Sequence, residues 1–213
     1  MKSQLPNRID RYAIEKLLGS GAMGVVYKGY DHQIERPVAI KVLHEHLRPG
    51  RQGKELEHRF LQEAKAAARC QHANIITIYD FGCDNVPYIV LEYVEGIELK
   101  AYSKNNTIIS LPSATDICIQ ILRALNLAHS KKIIHRDIKP ENLIRRQSDR
   151  KFVLIDFGAV KEIRTQVLNS DGQTQLTVGI GTEGYTPSEQ LAGKPRYCSD
   201  IYALGITAVQ AIT

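Results

Sequence analysis

The sequence predicts an α+β chain: a small antiparallel sheet with one main helix over roughly the first ninety residues, then a mostly helical portion. Short β-prone pieces alternate with turns between Tyr12 and Lys41, as in an antiparallel meander. In the second part the strongest periodicity is helical, with apolar residues recurring at three- and four-residue steps.

The meander reads "YAIEKLLG", "GVVYKGYD" and "PVAIKVL", with a glycine turn at its first corner. A polar connection, "HEHLRPGRQGK", leads to a helix expected over Lys54–Gln71, which sets Phe60, Ala64, Ala67 and Ala68 along one side. "NIITIYDFG" and "VPYIVLEYV" return to β-rich composition, and "EGIELKAYSKNNTIIS" holds a short helix. A longer helix is expected over Ser113–Lys131, with Ser113 as its cap and Asp116 returning a hydrogen bond to the cap amide. Its Ile117, Ile121, Leu125 and Ala128 form a stripe that Ile119 and Leu122 widen, so most of it is expected to be buried. "NLIRR" and "KFVLID" are short strands around the turn "QSDR". From Gly158 to Gln190 the chain is polar and long for a structureless connection, which points to a functional or regulated loop. The last stretch, "SDIYALGITAVQAIT", is an apolar helix with a polar opening at Ser199 and Asp200.

With 213 residues the chain can bury a substantial core as one domain or two small lobes, and 43% hydrophobic with 24% charged content is ordinary for a soluble protein. The net charge of +5 permits attraction to phosphates. Lys and Arg are nevertheless scattered and not interleaved with aromatic residues, which argues against nucleic-acid binding. Cys70, Cys83, Cys118 and Cys198 form no close pair and lie in apolar surroundings, so reduced, buried cysteines of a cytoplasmic protein are expected. No apolar run has the length of a signal peptide or a membrane span. His44 and His46 lack a third ligand at useful spacing, and no serine sits on a G-x-S-x-G elbow.

Three segments can carry chemistry. Gly19, Gly21 and Gly24 of "LGSGAMGVVYKG" precede the strand-forming Val25, Val26 and Tyr27, which does not suit a dinucleotide fingerprint. A glycine turn between antiparallel strands fits better; it is either a plain hairpin or a backbone that approaches phosphates, with Val26 against a base. In "VAIK", Ala39 and Lys41 share a strand face. A carboxylate would be needed to fix this lysine: Glu63 is preferred because it lies on the Phe60 and Ala67 side, with Glu55 and Glu57 still open. "IIHRDIKPENL" is the most specific segment. Asp137 can accept a proton from a hydroxyl, Lys139 can neutralise a phosphoryl group in flight, and Asn142 offers a neutral oxygen to a hard cation. Asp156 of "LIDFG" can supply that cation's charged ligand.

Taken together, "LGSGAMGVVYKG", "VAIK", Glu63 before "HANI", "HRDIKPEN", "DFG", "GTEGYTPSEQ" and "SDIYALG" resemble the eukaryotic-type serine/threonine protein kinases, especially those of bacteria. The resemblance implies a two-lobed kinase fold, a sheet lobe over 1–94 and an incomplete helical lobe over 95–213, with MgATP (Mn2+ as an alternative metal) in the cleft. It implies that Leu18, Gly19, Gly21 and Gly24 cover the nucleotide, and that Lys41 contacts the α and β phosphates and pairs with Glu63. The adenine would lie between Val26 and Ala39 above and Leu143 below, with Leu91 as gatekeeper and Glu92, Tyr93 and Val94 as hinge. Asp137 would be the catalytic base, Lys139 the phosphate-contacting lysine, and Asn142 and Asp156 the metal ligands. The implied product is phosphoserine or phosphothreonine on protein substrates, with autophosphorylation through self-association.

Arg136 would grip a phosphate added to the loop after Asp156, with Thr174 and Thr177 the main acceptors and Thr165 and Ser170 behind them. Thr182 would contact the catalytic loop, and Asp200 would bond to the backbone around His135 and Arg136. Pro187, Ser188 and Glu189 stand where the family has Ala-Pro-Glu, and the arginine expected to pair with Glu189 would fall after Thr213. Glu183, in place of a frequent proline, would favour basic residues around the acceptor, and Ala67 would loosen the stack behind its helix. The alternative reading is a truncated nucleotide-binding or scaffold module with little or no turnover. On either reading the 213-residue form is expected to be poorly soluble or partner-dependent when expressed alone, because the apolar residues from Ile201 onward would lack the helices that normally bury them.

Overall fold

In the computed structural model of the chain, residues 5–21, 24–44, 50–84, 86–104, 108–156, 161–162 and 182–213 are described. The chain forms two compact units, Met1–Ala68 with Thr77–Val94, and Arg69–Ile76 with Glu95–Thr213.

The first unit is a six-stranded antiparallel sheet in the order β1-β2-β3-β4-β6-β5. Its strands are β1 (Arg8–Ile9), β2 (Tyr12–Ser20), β3 (Gly24–Asp31), β4 (Arg36–Leu43), β5 (Ile78–Asp84) and β6 (Val86–Glu92). Alternation gives the sheet two different faces. On one, Tyr12, Val38, Ile40, Tyr88 and Val90 are buried together. On the other, Leu43 and Ile89 pack with Phe60 and Ala64 of α1 (Gly50–Ala68). The helix begins at Gly50, inside the stretch expected to be a polar connection, and stops at Ala68, short of the expected Gln71. Phe60, Ala64 and Ala67 are its buried side, whereas Ala68 is exposed. The β-rich "NIITIYDFG" supplies only an isolated bridge at Ile75 before β5 begins at Ile78.

The second unit is built around α3 (Leu111–Ser130) and α5 (Tyr197–Ile212), with α2 (Leu99–Lys104) and α4 (Ser188–Leu191) beside them. Three strands, β7 (Gly96–Glu98), β9 (Leu143–Arg146) and β10 (Phe152–Leu154), pair in the order β10-β9-β7, and β8 (Ile133–Ile134) pairs with β11 (Lys161–Glu162). Leu99, Ile117, Ile121, Leu125, Ile138, Leu143 and Leu204 form its core. Each such side chain contributes roughly 1.5–3 kcal/mol on leaving water. Asn74 ties the short segment Arg69–Ile76 into this unit: its amide donates to the Phe152 carbonyl at 2.7 Å and to Gln120 at 2.9 Å.

Three expectations for α3 are corrected. Its cap is Ser110, whose hydroxyl accepts from the Ser113 N–H, because Pro112 fits inside the first turn, where its missing N–H costs nothing. Asp116 instead accepts from Gln120 one turn on. Ile119 and Leu122 do not widen the buried stripe; they are 43% and 40% exposed. The cysteines are free, as expected, but only Cys70 is buried; Cys83 on the edge strand β5 and Cys198 in the first turn of α5 are exposed. On α5 the buried face is Ser199, Asp200, Ala203, Leu204, Thr207 and Ala211, and Ile201, Tyr202 and Val209 are exposed.

Candidate active site

In the second unit the site grows from β8. Ile133 and Ile134 are fully buried and anchor the segment that follows them. His135 is fully buried; its Nε2 donates to the Ile155 carbonyl at 3.3 Å, and its Nδ1 accepts from the Asp137 N–H at 3.3 Å. This pairing describes a neutral ring, in keeping with burial, which holds its pKa below the usual histidine value against the opposing charges of Asp200, Asp137 and Asp156. Arg136 follows with φ 70°, a left-handed conformation that a non-glycine residue keeps only when its surroundings fix it.

Asp200, fully buried near the start of α5, does much of that fixing. It accepts from the His135 N–H at 3.0 Å, the Arg136 N–H at 2.8 Å and His129 Nε2 at 2.8 Å. The His129 ring also packs 4.7 Å from that of Tyr197. On the other side of Arg136, Gln190 Nε2 donates to its carbonyl at 2.7 Å.

The chain thus delivers Asp137 with its side chain engaged on both oxygens. Oδ1 accepts from the Thr182 hydroxyl at 2.7 Å; Oδ2 meets Lys139 Nζ at 2.8 Å and Asn142 Nδ2 at 2.9 Å. Lys139 also donates to Thr182 at 2.8 Å, which closes a ring of carboxylate, ammonium and hydroxyl. Asn142 ends the 3-10 turn Pro140–Asn142, and its amide nitrogen donates again, to the Asp137 carbonyl at 2.7 Å. With the nitrogen so oriented, Oδ1 is the atom left to accept or to ligate. Asp156 follows β10 with an exposed side chain and φ 61°. A neutral amide oxygen and a carboxylate are the donor types a hard divalent cation takes, so these two residues fit such an ion. Lys100 on α2 forms an ion pair with Glu141 in the same turn.

Glu189 is half-buried, and the Ser199 hydroxyl donates to its Oε1 at 2.7 Å. That bond holds the Glu189 carboxyl below the usual carboxylate range, with Arg196 assisting by its charge. The regulatory candidates Thr174 and Thr177, with Thr165 and Ser170, lie outside the described residues.

In the first unit, the β3–β4 register sets Val26 opposite Lys41, and the β4–β6 register sets Ala39 opposite Leu91. Opposed residues share a face, so Val26, Lys41, Ala39 and Leu91 lie on the side of the sheet that also carries Leu43 and Ile89. Glu63 lies on α1, which packs on that same side, although its side chain is outside the described residues. At the glycine turn the Gly21 N–H donates to the Gly24 carbonyl at 2.9 Å, and His44 Nε2 lies 3.0 Å from the Gly21 carbonyl. A Cβ on Gly19 or Gly21 would meet open space; one on Gly24 would come within 2.0 Å of the Val42 carbonyl oxygen. Gly24 is therefore required by the close approach of β4 alone. Leu18 is exposed, Glu92 and Tyr93 are half-buried, Val94 is buried, and in the second unit Leu143 is fully buried.

A family model described as the protein kinase domain matches residues 12–213. The chain is 41% identical over 211 residues to the serine/threonine-protein kinase PknA of a Nostoc species, covering 96% of this chain and 37% of that protein. It is 36% identical over 211 residues to serine/threonine-protein kinase C of a Synechocystis species, covering 96% and 39%. It is 38% identical over 206 residues to the serine/threonine-protein kinase PrkC of Bacillus subtilis, covering 95% and 30%. The chain spans about a third of the length of these curated relatives. The sheet unit and the helical unit are consistent with the protein kinase domain that this match gives, and the chain belongs to the protein kinase family. Members of that family use ATP and a divalent metal ion.

Sequence reasoning missed His129, Gln190 and Ser199. Each acts through a contact with residues 54 or more positions away or across an element boundary, as in His129 to Asp200 or Gln190 to Arg136, and no local spacing marks such a partner.

Proposed function

We propose that the chain carries the catalytic machinery of a serine/threonine protein kinase, transferring the γ-phosphoryl group of ATP to serine and threonine hydroxyls of proteins, its own included. The observation that carries this reading is the Asp137 carboxylate held at once by Thr182, Lys139 and Asn142. Asp137 orients the substrate hydroxyl and accepts its proton as the new P–O bond forms and the bond from the γ-phosphorus to the bridging oxygen breaks, with ADP as leaving group. Lys139, beside it, neutralises charge on the phosphoryl group in flight, and its presence two residues after Asp137 suits a serine/threonine enzyme. Lys41 contacts the α and β phosphates and is paired with Glu63, and the glycine turn with Leu18 covers the nucleotide. Val26, Ala39, Leu91 and Leu143 line the adenine, and Glu92 and Val94 supply the backbone that reads its edge. Asn142 and Asp156 would hold magnesium or manganese, which would neutralise charge on the phosphates. Arg136 grips a phosphate on Thr174 or Thr177, and Thr182, Glu189 and Asp200 support the loop.

The enzyme is proposed to work in the cytoplasm. Among the described residues, no helix is long and apolar enough to cross a membrane. The test compares the purified chain with its Asp137→Ala variant, both supplied with magnesium and γ-labelled ATP, on itself and on a generic basic protein. Label transfer that the variant loses is the expected result. A nucleotide-dependent rise in melting temperature without transfer would favour a binding or scaffold module instead.

A further inference from the structure

Around Asp137 the backbone is held more completely than the reaction's own groups require. The Ile134–His135 and His135–Arg136 peptides donate to the two oxygens of Asp200. The next peptide, Arg136–Asp137, is held at both ends: its N–H donates to His135 Nδ1 at 3.3 Å, and its carbonyl accepts from Gln190 Nε2 at 2.7 Å. This peptide carries the Cα of Asp137, so its plane sets the direction from which the carboxylate projects. It follows the one residue of the loop in a left-handed conformation, Arg136, where a peptide flip is the natural route of relaxation.

Gln190 is suited to this work. It is 3% exposed, and its own backbone N–H is bonded to the Pro187 carbonyl at 3.0 Å. The residue before it, Glu189, is fixed to Ser199, and Ser199 precedes Asp200. Both arms that grip Arg136 therefore start from one connected corner made by α4 and the first turn of α5.

We propose that Gln190 is a positioning residue for Asp137, its carboxamide fixing the Arg136–Asp137 peptide from the carbonyl side. The proposal rests on the kinase reading above. Its consequence is that the orientation of the catalytic carboxylate depends on the placement of α4, which follows the candidate phosphorylation sites in the sequence.

The test measures steady-state transfer and ATP affinity for the wild-type chain, Gln190→Met and Gln190→Glu. Methionine matches glutamine in length and supplies no donor. A carboxyl group can donate to the Arg136 carbonyl only when protonated, and burial raises its pKa. Gln190→Met is expected to lose roughly 10- to 100-fold in kcat, the scale on which misplacement of a reacting group acts, with KM for ATP unchanged within about twofold. The ratio of Gln190→Glu to wild-type kcat is expected to rise as pH falls from about 8 to about 6. His129, His135, Asp200 and Glu189, which surround this corner, are present in both proteins, so the ratio reads the introduced carboxyl together with its coupling to them. A Gln190→Met kcat equal to the wild type would overturn the proposal, and so would a loss shared equally between kcat and ATP affinity. If Gln190→Met fails to fold, a flat pH ratio for Gln190→Glu overturns it alone. Absence of transfer by the wild-type chain would sink the kinase reading itself.

Discussion

Asp200→Ala tests the support of the catalytic loop where the structure concentrates it. The carboxylate is fully buried and accepts from the N–H groups of His135 and Arg136, residues only 0% and 6% exposed. Alanine removes the acceptor of two buried N–H groups, and each such group left unsatisfied costs about 1–3 kcal/mol, so the expected loss is about 2–6 kcal/mol. His129, with a side chain 15% exposed, can recover part of its lost bond from solvent and is left out of the sum. Against a folding free energy of about 5–15 kcal/mol this is a large fraction. Asp200→Asn keeps one acceptor and turns an amide nitrogen toward the other donor, so it falls between wild type and alanine. The chain has no tryptophan, so urea unfolding of all 213 residues is followed by far-UV circular dichroism. A loss below about 1 kcal/mol for Asp200→Ala, with the urea slope unchanged, would refute this account of the loop.

Gly24→Ala should lower stability by about 1–3 kcal/mol, because its Cβ meets the β4 backbone, whereas Gly19→Ala and Gly21→Ala should leave the melting temperature nearly unchanged. Ser199→Ala removes the bond that holds the Glu189 pKa down. A depressed carboxyl pKa stabilises the fold above the unfolded value, about 4.3, and the effect is lost as pH falls through the folded value. The stability gap between wild type and Ser199→Ala should therefore be constant near neutrality and shrink in acid, as equilibrium unfolding at a series of pH values would read. His135 and His72 both have pKa values lowered, chiefly by burial, with Arg123 adding to the effect at His72. The unfolded chain then takes up protons that the folded chain refuses, so stability present above about pH 6.5 declines below it. A double variant, His72→Asn with His135→Asn, should flatten that slope.

Much of the site was legible because its chemistry is local. Asp137, Lys139 and Asn142 lie within six positions, and the structure joins them through one carboxylate. Alternation in one short strand is enough to put Ala39 and Lys41 on one face, whereas Val26 and Leu91 join them only through the β3–β4 and β4–β6 registers, which alternation within a strand does not fix. Legibility failed where a side chain satisfies backbone far away. Ser110 rather than Ser113 caps α3 because a proline in the first turn needs no donor, a choice that composition does not reveal. The bond from the Ser199 hydroxyl to the half-buried Glu189 carboxylate, ten positions earlier, joins α5 to α4, and no local spacing marks it. Exposure was misjudged for Ile119 and Leu122 because the width of a buried stripe depends on which elements pack beside the helix.

The central claim is that Asp137, held by Thr182, Lys139 and Asn142, is the group that orients the attacking hydroxyl. It is tested most directly by the single-turnover rate of γ-phosphoryl transfer in wild type and Asp137→Asn, at saturating ATP and magnesium. Asparagine keeps the size and most hydrogen bonds of the side chain and removes its basicity. The account predicts a fall of roughly 100- to 10,000-fold in the transfer rate, with ATP affinity preserved. Transfer by Asp137→Asn at the wild-type rate would contradict it.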